Sequence, residues 1–111
     1  MYEIDYILIK KMLQVIDRIF EYSKSFKTFK DFENDYKTVD ATLMNFIALG
    51  ETAGKISNVF KDNYGEVEWQ KVYAFRNVIA HDYFGVDDEA VWDIIKNHLP
   101  KLKNDLLKIS N

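Results

Sequence analysis

The sequence predicts an all-α fold, an antiparallel up-and-down four-helix bundle with one short extra helix. Three observations predict it. Apolar residues recur at intervals of three and four through four long stretches, the pattern of helices that bury one face. Only four glycines and one proline interrupt 111 residues, too few for a turn-rich β architecture. The composition, 48% hydrophobic and 30% charged, suits a packed helical core and argues against disorder. At this length, residues 1–111 are expected to form one domain around one core.

The first helix is expected from Ile4 to about Ser23, with Ile4, Ile7, Leu8, Met12, Val15, Ile16, Ile19 and Phe20 as its apolar stripe. Between Ser25 and Lys37 aromatic residues alternate with charges, and Thr28 or Asp31 can cap a short helix. A second long helix is expected to start near Thr38, capped by Thr38 or Asp40, and to run to about Asp62. Leu43, Phe46, Ile47, Ala53, Ile56 and Phe60 form its buried face. Gly50 and Gly54 lie inside it one turn apart, and each costs about 1 kcal/mol relative to alanine. A close approach by another helix would justify that cost; two tolerated surface glycines are the plainer alternative. Gly65 is expected to end this helix in the left-handed conformation. The third helix then spans about Glu66 to Tyr83 and Gly85 closes it. Asp87 or Asp88 can cap the fourth, Glu89 to Ile109, in which Pro100 predicts a kink or break near His98.

The composition also excludes several chemistries. Without cysteine there is no disulfide framework, thiolate metal site or thiol nucleophile. The formal charge of −3 argues against a protein that coats nucleic acid through bulk electrostatics, so any contact with RNA or DNA has to be local. Acidic residues near the N-terminus, Glu3 and Asp5, stand where a secretory signal would be basic, and no apolar run has membrane-spanning length. A soluble cytoplasmic protein without a membrane partner is the expectation.

One stretch concentrates reactive groups. Arg76-Asn77-Val78-Ile79-Ala80-His81-Asp82-Tyr83 offers a fixed cation, an amide, an imidazole and a phenol within little more than two helical turns. On a helical wheel with Val72 at zero, Phe75 near about 300° and Ile79 near about 340° mark the core side. Asn77 then falls at about 140° and His81 at about 180°, away from the core, while Arg76 flanks it at about 40°. The usual fate of a lone histidine, a hydrogen-bonded core position, is thus disfavoured here. A solvated polar face remains open, as does enclosure by a second copy in a two-fold dimer. His98 reads as a surface residue, and Asp87, Asp88 and Glu89 as acids favoured at a helix N-terminus. Solvated positions are the default for the lysines, and core or interface packing for Trp69, Tyr73 and Trp92.

Arg76 through His81 resembles the Arg-X4–6-His signature of HEPN-domain ribonucleases, in which a polar residue follows the arginine, and its continuation to Tyr83 resembles the Arg-X4-His-X-Tyr form of the HepT-like toxins. The likeness extends through Ile47-Ala48-Leu49-Gly50-Glu51-Thr52-Ala53-Gly54-Lys55-Ile56, similar to an Ile-Gly-Glu-Ala segment of that family. It continues through Trp69, Tyr83-Phe84-Gly85-Val86-Asp87, Trp92 and Leu99-Pro100, and is weakest over residues 1–40. The resemblance implies a HEPN-like homodimer whose two motifs face each other across a cleft. It further implies a metal-independent endoribonuclease that needs no cofactor, the toxin of a type VII toxin–antitoxin pair. The implied partner is a nucleotidyltransferase-type antitoxin that transfers AMP from ATP onto Tyr83. Carried over by position, Arg76 and His81 are catalytic, Asn77 is the accompanying polar residue and Tyr83 the AMP acceptor.

The residues' own chemistry is compatible with that role. RNA is cut without metal when its 2′-hydroxyl attacks the adjacent phosphate, which requires proton transfer and stabilisation of the phosphorane. An imidazole titrates near neutrality, so His81 can serve as base or acid. Arg76 stays cationic and can hold two phosphate oxygens in its planar fork. Asn77, one turn before His81, could orient the imidazole or bind phosphate. Tyr83 has two readings, a packed helix-end aromatic or a modifiable phenol. Its adenylylation would bring bulk and negative charge to the cation. The rival function is a non-catalytic HEPN-like binding module that docks a nucleotidyltransferase or binds nucleotide; a helical dimer without ligand is the third possibility.

Overall fold

A computed structural model describes residues 2–110, and among these there is helix and turn but no strand. Helix α1 spans Glu3–Ser23, α2 Phe29–Asn34, α3 Tyr36–Lys55, α4 Asn58–Asn63 and α5 Trp69–His81. A single 3-10 turn, Tyr83–Gly85, leads to α6, Asp88–Asp93, and α7 covers Leu99–Ser110. The fold is thus the all-α helical bundle expected, with α2 as its short additional helix. None of the helices is long and apolar enough to cross a membrane.

Helix α1 supplies the centre of the core through Ile9, Met12, Ile16 and Ile19, all fully buried. It packs against α3 on one side and α7 on the other, while α5 rests mainly on α3. The layer order is therefore α7, α1, α3, α5. The expected first-helix stripe needs correcting at its start, because Ile4 is 73% and Ile7 54% exposed and Ile9 takes the buried place. On a wheel with Met12 at zero, Ile16 lies at about 40° and Ile9 at about 60°, whereas Ile7 falls at about 220° on the far side.

The second long helix is two helices. It starts earlier than expected because the Asp35 carboxylate accepts the Thr38 amide at 3.2 Å, so neither Thr38 nor Asp40 is its cap. It stops at Lys55 because Ile56 is extended and Ser57 caps α4 afresh. A tertiary contact fixes that break. Buried Asp5 on α1 accepts the Ser57 amide through Oδ1 at 2.8 Å and the Ser57 hydroxyl through Oδ2 at 2.9 Å.

Gly65 does not adopt the left-handed conformation; no described glycine has positive φ, and α4 ends at Asn63 with Tyr64 as its C-cap. Trp69 anchors the following turn by donating Nε1–H to the Tyr64 carbonyl at 3.1 Å, which delays α5 to Trp69. At the other end α5 stops at His81, so Tyr83 lies beyond the helix rather than in it.

Asp87 caps α6, as anticipated, accepting the Glu89 and Ala90 amides. Pro100 does not break the fourth long stretch. A π-helical turn, Ile94–His98, joins α6 to α7 without interruption, with the Leu99 amide bonded to the Ile94 carbonyl. Proline has no N–H for the carbonyl four residues back, and a widened turn absorbs that missing bond without a break.

Candidate functional site

The two glycines of α3 place the candidate site. A Cβ at Gly50 would overlap the Cβ of Arg76 and lie 3.1 Å from the Val72 carbonyl, so α3 and α5 meet backbone to backbone there. One turn further, a Cβ at Gly54 would come within 2.9 Å of the Tyr73 ring. Close helix approach, not surface tolerance, explains both residues. The pairings Gly54 with Tyr73, Gly50 with Arg76 and Asp40 with Tyr83 run in opposite directions along the chain, so the two helices are antiparallel.

This contact holds the Arg76 stem against α3 and leads its guanidinium out along the edge of the helix pair. There Nη2 donates to Glu51 Oε1 at 3.1 Å and Nη1 donates to Asn77 Oδ1 at 2.9 Å. Nε is buried without a partner in the chain. The Arg76 side chain is 29% exposed and that of Glu51 50%, so the pair is open to solvent on one side. Asn77 therefore engages Arg76, and its oxygen does not orient the imidazole of His81. His81 is exposed at the last position of α5. It stands about 7.5 Å along the axis from Arg76 and about 140° around it. The single chain brings Glu51, Arg76 and Asn77 together and leaves His81 apart from them.

Tyr83 turns back toward α3. Asp82 leaves the helical conformation, and its carboxylate accepts the Gly85 amide at 3.1 Å, which fixes the 3-10 turn. The half-buried Tyr83 phenol consequently reaches across to donate to Asp40 Oδ1 at 2.6 Å. Burial, the bond to Asp40 and the negative charges of Asp40 and Asp88 push this phenol up to about 12. Asp88 is itself raised, by burial first and then by the charges of Glu33, Asp87 and Asp40. Next to Tyr83, Phe84 is 97% exposed.

Sequence reasoning missed Glu51 and Asp40. Glu51 stood inside the segment that resembled the HepT-like pattern, but nothing local linked it to Arg76. Asp40 had been expected at a helix cap, and the start of α3 at Tyr36 releases it for Tyr83. His98 is exposed as expected, its Nε2 lying 3.3 Å from Asp93 Oδ2. Among the described residues no three His, Cys, Asp or Glu side chains are gathered to hold a metal ion.

A helical bundle that carries Arg-Asn-X3-His on its edge helix, followed by an exposed turn with tyrosine, has the features of a HEPN-type domain. Residues 12–109 match the family described as ribonuclease HepT-like, and the chain belongs to that family. Relatives include the probable ribonuclease HepT of Thermococcus cleftensis, 31% identical over 101 residues that make up 91% of each chain. A Methanocaldococcus jannaschii protein named as a gamma-glutamylcyclotransferase and candidate RNase is 32% identical over 103 residues. The match covers 93% of this chain and 46% of that relative, so the chain spans about half its length. A second protein of that organism, named as a candidate RNase, is 27% identical over 95 residues, 86% of each chain. No solved structure matches the chain.

Proposed function

We propose that this chain is an endoribonuclease toxin that cuts RNA without metal, with Arg76, Asn77 and His81 as its working residues, and that adenylylation of Tyr83 silences it. The carrying observation is the Glu51–Arg76–Asn77 cluster, held by the Gly50 contact on the exposed edge of the bundle. Family membership and the ribonuclease names of its relatives support the same reading.

In this reading the RNA 2′-hydroxyl attacks the neighbouring phosphate and the 5′-oxygen leaves. Arg76 meets the charge that develops on the phosphorane. Its bonds to Asn77 and Glu51 use one N–H on each terminal nitrogen, and one on each remains for phosphate oxygens. His81 moves a proton, as base toward the 2′-hydroxyl or as acid toward the leaving oxygen.

The separation of His81 from Arg76 within one chain favours a site completed by a second copy. Tyr36 and Met44 on α3 and Tyr73 on α5 are 69%, 59% and 44% exposed. On a wheel with Asp40 at zero, Tyr36 falls at about 320°, Met44 at about 40° and Glu51 at about 20°, one face of α3. These apolar residues beside the candidate site suit a two-fold interface that brings two motifs together. The proposed partners are thus a second copy, RNA, and a nucleotidyltransferase-type antitoxin that supplies AMP from ATP.

One observation favours the non-catalytic alternative: Glu51 already engages Arg76, as it would in a module whose arginine is structural. RNA cleavage separates the readings. Purified unmodified protein in excess chelator is expected to cut RNA, and Arg76→Ala and His81→Ala are expected to lose that activity. Sedimentation of the same samples should report a dimer throughout. Equal cleavage by all three proteins sinks the residue assignment, whereas a folded dimer that never cleaves supports the binding module.

A further inference from the structure

Resting on the regulatory half of that reading, we infer that Asp40 is a catalytic residue for the modification of Tyr83: it aims the phenol and receives its proton as the oxygen attacks ATP. Nothing in the motif itself points to Asp40, which lies 43 residues away in sequence. The assignment comes from the hydrogen bond across the helix pair.

Two features single the residue out. The 2.6 Å bond from the Tyr83 hydroxyl to Asp40 Oδ1 is a direct contact with the atom that has to become the nucleophile. Asp40 is also exposed and caps no helix, so this bond is the role the fold gives its carboxylate. The phenol meanwhile is held protonated, its ionisation raised to about 12 by burial and by the acids around it. At neutral pH almost none is phenolate, so attack depends on a base that takes the proton as the new bond forms. Asp88 contributes negative charge nearby, but the hydrogen bond goes to Asp40.

The step balances simply. The Tyr83 oxygen bonds to the α-phosphorus of ATP, the bond from that phosphorus to the bridging oxygen of pyrophosphate breaks, and pyrophosphate leaves. The phenolic proton passes to Asp40, which later loses it to water. The product oxygen carries no proton, so the bond to Asp40 cannot re-form. The new phosphodiester anion, facing Asp40 and Asp88, is repelled from α3 and frees the turn Tyr83–Gly85.

The test measures AMP incorporation by intact mass. The full chain is incubated with ATP, Mg²⁺ and a nucleotidyltransferase of the proposed antitoxin type, as wild type, Asp40→Asn, Asp40→Glu and Tyr83→Phe. Circular dichroism checks that each variant is folded. Wild type should gain AMP and Tyr83→Phe should not. Asp40→Asn should lower kcat about a hundredfold at neutral pH with KM for the chain unchanged, the scale of a lost general base. Its deficit should shrink as the pH rises and phenolate forms unaided, and Asp40→Glu should restore part of the rate. A rate for Asp40→Asn within about threefold of wild type, or a deficit that does not change with pH, overturns the role of Asp40. Wild type that takes no label, or Tyr83→Phe labelled equally, removes the regulatory reading instead, and the inference with it.

Discussion

Gly50→Ala and Gly54→Ala should have opposite effects on stability although they lie one turn apart on the same helix. Each gains about 1 kcal/mol of helix propensity. At Gly54 the added methyl meets the Cε1 and Cδ1 atoms of the Tyr73 ring at 2.9 and 3.1 Å. That ring ends a flexible side chain that is 44% exposed, so it can swing outward and the propensity gain survives. At Gly50 the methyl meets the Cβ of Arg76 and the carbonyl of Val72, neither of which moves unless α5 moves. Overpacking of that kind costs about 1–3 kcal/mol, so at the midpoint of that range the net loss is about 1 kcal/mol after the propensity gain. Urea denaturation at constant slope reads both values as midpoint shifts. Gly54→Ala should denature at equal or higher urea than wild type and Gly50→Ala at lower. RNA cleavage should fall in Gly50→Ala alone, since the displaced residue is Arg76. A midpoint for Gly50→Ala at or above that of Gly54→Ala would refute the close-approach argument.

Two further perturbations probe contacts that the chain makes over long sequence distances. Asp5→Ala removes a buried carboxylate that holds both the amide and the hydroxyl of Ser57, and should cost about 2–3 kcal/mol in the same urea experiment. A midpoint equal to wild type would show that the break between α3 and α4 does not depend on Asp5. Tyr83 supplies a pH test. Its phenol ionises at about 12 in the folded chain against an ordinary value of 10.0, so its stabilising contribution is complete below about pH 10 and is lost as pH rises toward 12. The tyrosinate absorbance of wild type minus Tyr83→Phe should therefore titrate near 12. Wild type should lose about 1 kcal/mol relative to that variant across the window, the shift being discounted for the solvent around the hydroxyl. Titration near 10 would mean that the bond to Asp40 does not hold in solution.

The sequence made the helices legible because burial of one face imposes a period of 3.6, and that period survives any uncertainty about neighbours. It also made the close approach at Gly50 and Gly54 legible, since two glycines inside a helix are costly unless something needs the space. The ends of elements were harder, and for identifiable reasons. Thr38 and Asp40 were the expected caps, and only the geometry of the turn after α2 gives that role to Asp35. The stop at Lys55 depends on Asp5, 52 residues away, which no window around Ile56 contains. At the site, the exposed position of His81 followed from the wheel, but the half-burial of Asn77 and the partners of Arg76 and Tyr83 did not. Those partners depend on the antiparallel register between α3 and α5. Anchoring that register at Gly50 and Arg76 places Tyr83 within one turn of Asp40, so the information was latent in the glycine contact.

The division of labour between the two helices follows from that register. Helix α5 and the turn after it supply the candidate reactive groups, and α3 supplies a carboxylate for each of two: Glu51 for Arg76 and Asp40 for Tyr83, about three turns apart. A carboxylate on the cation has a specific consequence in a chain of net charge −3. It offsets much of the charge of Arg76, so a stray phosphate gains little there from bulk attraction. In the proposed reading, a phosphate competes with Glu51 only when it also finds the free N–H groups, with an imidazole on the other side of the scissile bond. His81 is not on that side of the arginine within one chain. In the proposed reading, selectivity for a positioned RNA and completion of the site by a second copy rest on the same geometry: α3 holds Arg76 in place, and His81 stands about 140° around α5 from it.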